Sequence, residues 1–262
     1  MEKFDNWLET KMDNQKICFI MRGIPGSGKS TTAKELLKKH GGTPDGHIFA
    51  TDNWFHPIAN KLRALGHITP ESLSLETAWE FCEEIKKFWF SVKWTKVKAD
   101  AEDSFLEFKA LADKNKYYEA LTAAQQMAQV LEIVEYRSNW HGSKLKAAHS
   151  DNLTKFKLAV DQGVTPLIVD NTNITARDPG AYVRYAQAAN YDIRIQEPTS
   201  PHWTANRDLL SDKYMNRDKL DVFAKELADK NTHGVPLESI KNMMNKWQHN
   251  VKVKDVTDAA ER

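Results

Sequence analysis

Ile17-Cys18-Phe19-Ile20-Met21 is apolar at every position and stops at the glycine-rich stretch Gly23 to Gly28. A short run with no polar alternation predicts a strand buried on both faces, as in a parallel sheet. Thr31 to Lys39 then reads as a helix stopped by Gly41-Gly42. The pattern recurs at His47-Ile48-Phe49-Ala50, ending at Thr51-Asp52, and at Pro166-Leu167-Ile168-Val169, ending at Asp170-Asn171-Thr172-Asn173. A fourth candidate, Tyr191 to Ile195, ends at Glu197-Pro198, and helical stretches at 144–162 and 179–190 separate the later runs. Alternating strands and helices imply a mostly parallel sheet with helices on both faces, an α/β fold.

From Pro57 to Ile133 this rhythm is missing, and three helical stretches, 75–90, 103–113 and 117–134, replace it. The span reads as a helical insertion at about 58–133 in a core of 16–57 and 134–250, the whole chain 1–262 forming a single domain. The tail from Leu209 to His249 is helical, broken near Asn231 to Pro236.

Composition narrows the classes. The chain has 262 residues, with 37 Lys and Arg against 36 Asp and Glu, so a net charge of +1 sets up no global field for a polyanion, and any such partner must be met locally. Two cysteines, Cys18 and Cys82, point to core thiols in a reducing compartment. No run approaches the roughly 18 apolar residues of a membrane span, and the first residues lack the apolar core of a signal peptide. A cytoplasmic protein with no membrane partner is the expectation.

Gly23 through Ser30 meets the pattern GxxxxGK[ST], between a predicted strand and a predicted helix, which is the context the motif needs. In a P-loop of this kind, glycines turn backbone N–H groups toward a triphosphate and the helix N-terminus adds positive dipole. Lys29 reaches the terminal phosphates and Ser30 holds Mg²⁺. The expected ATP contacts are Gly23, Pro25, Gly26, Ser27, Gly28, Lys29, Ser30 and Thr31. In open α/β sheets ligands bind beyond the carboxyl ends of the strands, where Asp52, Asp170, Asn171, Asn173 and Glu197 would gather. Asp52 at the end of the second strand can take the proton from an incoming hydroxyl; read by position alone, it caps the following turn. Asp170 ends an apolar strand as a Mg²⁺-holding carboxylate does, or serves as a strand-end turn residue.

The ordered set GIPGSGKST, ATDNWF, SKLKAAHSDN, IVDNTN, QEP and ELADKNTHGVP resembles the polynucleotide-kinase family and the related P-loop module of the cyclic-nucleotide phosphodiesterases. The resemblance covers 16–57 and about 134–247. It implies a P-loop NTPase fold with a C-terminal helical lid, and ATP- and Mg²⁺-dependent transfer of the γ-phosphate to a hydroxyl, in that family the 5′-hydroxyl of DNA or RNA. Motif by motif, Asp52 falls on the general base, Lys29 and Ser30 on phosphate and Mg²⁺ contacts, and Lys230 on the lid cation that meets the donor phosphates, with His233 in the same segment. Read alone, Lys230 is a solvated lysine at a helix end. The chain departs from the family in three places. Asn53, Trp54 and Phe55 stand where an arginine meets the acceptor phosphate. Asp170 stands one residue before the position of the family carboxylate, which here is Asn171. Lysine replaces arginine in the lid and loses the bidentate fork.

Two further features lie in or near the insertion. Lys86 to Lys98 interleaves basic and aromatic residues, which suits either single-stranded nucleic acid or an amphipathic helix with a wet lysine face; the helix is the favoured reading. His67-Ile68-Thr69 and His141-Gly142-Ser143 match the HxT/HxS spelling of a phosphodiesterase site, but neither sits in an alternating strand, and they are read as chance. The expected partner is a nucleic-acid 5′-end. The alternatives are a small hydroxyl substrate (a modified base, nucleoside or nucleotide-sugar), an ATP-dependent binding switch, and a structural protein that works through its insertion.

Overall fold

The computed structural model describes residues 16–66, 74–91, 99, 101–212 and 215–260. Packing divides the chain into two units, one of residues 1–51 with 149–262 and one of 52–148. The second therefore takes in, besides the expected insertion, the residues that flank it on both sides.

In the first unit, β1 (Ile17–Met21) leads through the glycine-rich loop into α1 (Lys29–His40). After the short α2 (Pro44–His47) comes β2 (Ile48–Phe49), and later β3 (Leu167–Val169) and β4 (Asp192–Gln196). The four strands lie in the order β2-β3-β1-β4, and every neighbouring pair is parallel. Each runs within a residue or so of the apolar run that predicts it.

The side-chain period of two sorts the sheet into its faces. Cys18 and Ile20 of β1, with Leu167 and Val169 of β3, pack with Phe156 and Val160 of α7 (Leu145–Asp161), Val183 of α8 (Gly180–Ala188) and Val256 of α12 (Val253–Ala260). Phe19, Met21 and Ile168 point the other way, onto Ala33 and Leu37 of α1. Helices on both faces explain why the strand residues of β1, β2 and β3 are all apolar, whereas the edge strand β4 alternates Asp192, Arg194 and Gln196 with isoleucines. A third cluster joins Ile24 of the loop and Trp203 of α9 (Pro201–Asn206) to Phe223 and Leu227 of α10 (Arg217–Lys230) and Met244 of α11 (Leu237–Lys246).

The second unit is helical among its described residues: α3 (Pro57–Gly66), α4 (Leu75–Ser91), α5 (Glu102–Asp113) and α6 (Tyr117–Asn139). Its core holds Leu62, Ile85, Trp89, Phe105, Phe108, Met127 and Leu131, with Trp89 stacked on Phe105 at 4.6 Å. The described half of the basic–aromatic stretch belongs to this helix bundle. Trp89 is buried, and Lys86 is paired with Glu83 and Asp113 at 3.0 and 2.9 Å. Residues 92–98 of that stretch and His67-Ile68-Thr69 lie outside the described residues. Both cysteines are buried and free, and burial pushes the Cys82 thiol up to about 11. Among the described residues no helix is long and apolar enough to cross a membrane.

Candidate functional site

The loop between β1 and α1 is held from several directions. Gly26 and Gly28 have φ of +82° and +90°, the left-handed region that side chains avoid. A Cβ on Gly26 would also meet the carbonyl oxygen of Leu227 at 2.0 Å, so the last turns of α10 lie directly on the loop. The Ser200 hydroxyl donates to the Ser27 carbonyl at 2.7 Å, and His202 Nε2 lies 2.9 Å from the Gly26 carbonyl. The Gly23 amide donates to the Thr172 carbonyl at 2.9 Å.

Within the loop, Ser27 N–H donates back to Ile24, and Lys29 Nζ reaches the Ile24 carbonyl at 3.4 Å. Pro25 is half-buried, Ser27 is buried, and Ser30 and Thr31 are exposed on the first turn of α1. The first bond of the α1 ladder runs from Thr32 N–H to Gly28, so the amides of residues 29–31 precede the ladder and form the helix end that favours an anion. Lys230 is exposed at the end of α10. It lies three residues past Leu227, hence on the same helix face. His233 is half-buried, its amide bonded to Asn231 Oδ1 at 3.1 Å.

Arg22 was not singled out by the sequence, yet it organises this end of the sheet. It is fully buried. Its Nε donates to the Asn173 carbonyl at 2.9 Å, and its Nη2 donates to the carbonyls of Ile174 at 2.9 Å and Gln248 at 2.8 Å. The guanidinium lies 4.4 Å from the Trp247 ring centroid and 3.8 Å from Glu197. Burial pulls its pKa below the ordinary value, against the charges of Glu197 and Asp178. The available signal was only its place, an arginine between an apolar strand and a glycine loop.

The polar strand-end residues divide by role. Asn173 gives its side-chain amide to the Met21 carbonyl at 2.7 Å, and Asn171 Oδ1 accepts the Thr51 amide at 2.9 Å. Glu197 is engaged by Arg207 at 2.6 Å and by Trp203 Nε1 at 3.3 Å. These three fasten backbone and close ion pairs. Asp170, 9% exposed at the end of β3, gives its amide to the Phe49 carbonyl at 2.9 Å.

Asp52 is bonded to Thr51 but packs in the second unit, on a 3₁₀ turn (Thr51–Phe55). It is half-buried, and Tyr136 OH donates to its Oδ1 at 3.3 Å. Burial, with the Asp52 charge adding, pushes the Tyr136 phenol well above its usual range, so it stays a donor. Two neighbours of Tyr136 on α6 hold the same segment. Glu135 accepts from the amides of Ile58 and Ala59 at 3.1 and 2.8 Å, and Asn139 Nδ2 donates to the Phe55 carbonyl at 2.9 Å.

Serine hydroxyl and carboxylate are hard oxygen donors, and Mg²⁺ needs only one or two of them beside water and phosphate, so Ser30 and Asp170 suit that ion chemically. Among the described residues no group of three or more His, Cys, Asp or Glu gathers as a dedicated metal cage.

No protein-family model matches the chain, and no solved structure matches it. Over 109 residues, 42% of this chain, it is 31% identical to NEDD4-binding protein 2 from Homo sapiens. The matched stretch spans about 5% of that protein's length.

Proposed function

We propose that the chain is an ATP- and Mg²⁺-dependent P-loop kinase that transfers the γ-phosphate to the 5′-hydroxyl of DNA or RNA. The observation that carries the reading is the β1–α1 loop. Its left-handed glycines, the amides ahead of the α1 ladder and Lys29 together make the kind of cradle a triphosphate requires. The packing of α10 against Gly26 supports a lid role for that helix, with Lys230 as the cation meeting the donor phosphates.

In this reading the P-loop amides and Lys29 bind the β- and γ-phosphates, and Ser30 and Asp170 hold Mg²⁺. The ion supplies charge neutralisation on the phosphate oxygens. Asp52 accepts the proton of the acceptor hydroxyl as its oxygen bonds to the γ-phosphorus, and the bond from that phosphorus to the β-bridging oxygen breaks to release ADP. Tyr136 holds the carboxylate in place while it does so. The stretch shared with NEDD4-binding protein 2 neither supports nor opposes an acceptor.

Transfer of label from γ-labelled ATP to 5′-hydroxyl oligonucleotides, modified-base duplexes, nucleosides and nucleotide-sugars tests the reading, with Asp52→Asn as control. Label on oligonucleotide ends, lost in Asp52→Asn while ATP binding survives, is the expected result. Label on another hydroxyl replaces the acceptor. No label with intact ATP binding replaces the kinase by a nucleotide-dependent switch.

A further inference from the structure

From residue 136 to residue 148 the second unit carries Arg137, His141, Lys144 and Lys146 and no acid. All four are exposed. Among them Trp140, at the end of α6, leaves 46% of its surface in water, whereas Tyr136 one turn earlier is buried. An indole left out of the core on an acid-free stretch is what a base-stacking surface with phosphate contacts requires.

Contacts within the unit join this stretch to Asp52. The Trp140 amide donates to the Tyr136 carbonyl at 2.8 Å, and Tyr136 OH donates to Asp52. Lys144 Nζ donates to the Asn139 carbonyl at 3.2 Å, and the Asn139 side chain holds the Phe55 carbonyl. The Phe55 ring meets Tyr136 at 5.5 Å and the half-buried Trp54 at 5.1 Å. Lys144 thus also caps the C-terminal carbonyls of α6, an ordinary structural duty. That duty accounts for neither Arg137, nor Lys146, nor the exposed face of Trp140.

We propose that Trp140 and Trp54, with Arg137 and Lys144, form the surface that holds single-stranded nucleic acid beside Asp52. Indole faces stack on bases and the two cations meet backbone phosphates. This rests on the kinase reading for the role of Asp52 and assigns the acceptor strand its own residues. Positive charge on a stretch that carries no acid of its own selects a polyanion, and the exposed indole of Trp140 with the half-buried one of Trp54 selects one with unstacked bases.

The test is binding of a short 3′-labelled single strand with a free 5′-hydroxyl to the full chain, without ATP, by fluorescence anisotropy over a salt series. Trp140→Ala should weaken binding roughly 5- to 150-fold, the range for losing one base stack, and Trp140→Phe should keep most of it. Arg137→Ala with Lys144→Ala should flatten the plot of log affinity against log salt by about 1.4, two phosphate contacts' worth for a single strand. Affinity and slope unmoved by these variants, or no binding by the unaltered chain, overturn the proposal. Strand binding lost in Trp140→Ala from a chain that transfers no phosphate upholds the surface and sinks the kinase reading. Phosphate transfer with an oligonucleotide KM indifferent to all three variants upholds the kinase and sinks the surface.

Discussion

Replacing Arg22 by methionine keeps much of the side-chain length but removes every donor. The carbonyls of Asn173 and Gln248 then lose their donor, that of Ile174 keeps only the Gln248 amide at 3.2 Å, and the contact with the Trp247 ring goes as well. Glu197 keeps Arg207 at 2.6 Å, so no carboxylate is stranded and the loss is chiefly of carbonyl satisfaction. Leaving one buried acceptor unsatisfied costs about 1–3 kcal/mol, and here two carbonyls lose their donor. Because a methionine also packs apolar surface there, the expected loss is about 2–5 kcal/mol, short of the full sum. For a unit of this size that corresponds to a fall in Tm of roughly 4–20 °C.

Urea unfolding followed by tryptophan fluorescence, with thermal melting alongside, measures it. Arg22→Lys should fall between methionine and the unaltered chain, because an ammonium keeps the charge but cannot fork to three carbonyls. Glu197→Gln should cost less than either. A methionine variant within about 1 kcal/mol of the unaltered chain would refute the reasoning, since even one unsatisfied carbonyl costs that much.

Gly26→Ala forces a left-handed residue, costing about 1–2 kcal/mol, and drives its Cβ into the Leu227 carbonyl; calorimetry should show ATP affinity reduced at least about tenfold, and ATP binding as in the unaltered chain would contradict the loop's role. Tyr136→Phe keeps the ring against Phe55 but loses the bond to Asp52; at 3.3 Å that bond is long, so we expect about 1 kcal/mol, a roughly fivefold slower transfer, with ATP affinity unchanged. Burial raises the Glu135 carboxyl above its ordinary value, against two amide donors, so the folded state holds its proton to higher pH than the unfolded state does. The stability it contributes is present below the ordinary glutamate value and is lost as pH rises through the raised folded value. Urea midpoints across that range should fall in the unaltered chain and lose this component in Glu135→Gln; identical pH dependence in both would remove Glu135 from the account.

How much of this was legible depends on how far apart the interacting residues are in the chain. Strands β1 and β3 were readable because burial on both faces of a parallel sheet leaves a continuous apolar run, visible within five residues at Ile17–Met21. The loop was readable because left-handed positions next to a strand call for glycine, and Gly26 and Gly28 carry that demand locally. The helices of the second unit were readable by period, but α6 was expected to end at 134 and runs to Asn139.

Its last turns exist for tertiary reasons. Glu135, Tyr136 and Asn139 grip the segment from Asp52 to Ala59, and each bond joins residues 76 to 84 positions apart. The same holds for Arg22, whose carbonyl partners lie 151 to 226 residues away. A charge after an apolar strand reads as exposed until three distant segments close over it. Likewise, the strand-end residues Asn171, Asn173 and Glu197 had the composition of a site, and only the folded chain shows them engaged in holding backbone and ion pairs. Sequence by itself determined which segments are strands, helices and the glycine loop between β1 and α1, because each is specified by its neighbours in the chain. Only tertiary structure decided which polar groups are engaged in holding the fold, because that depends on what the chain brings back from far away.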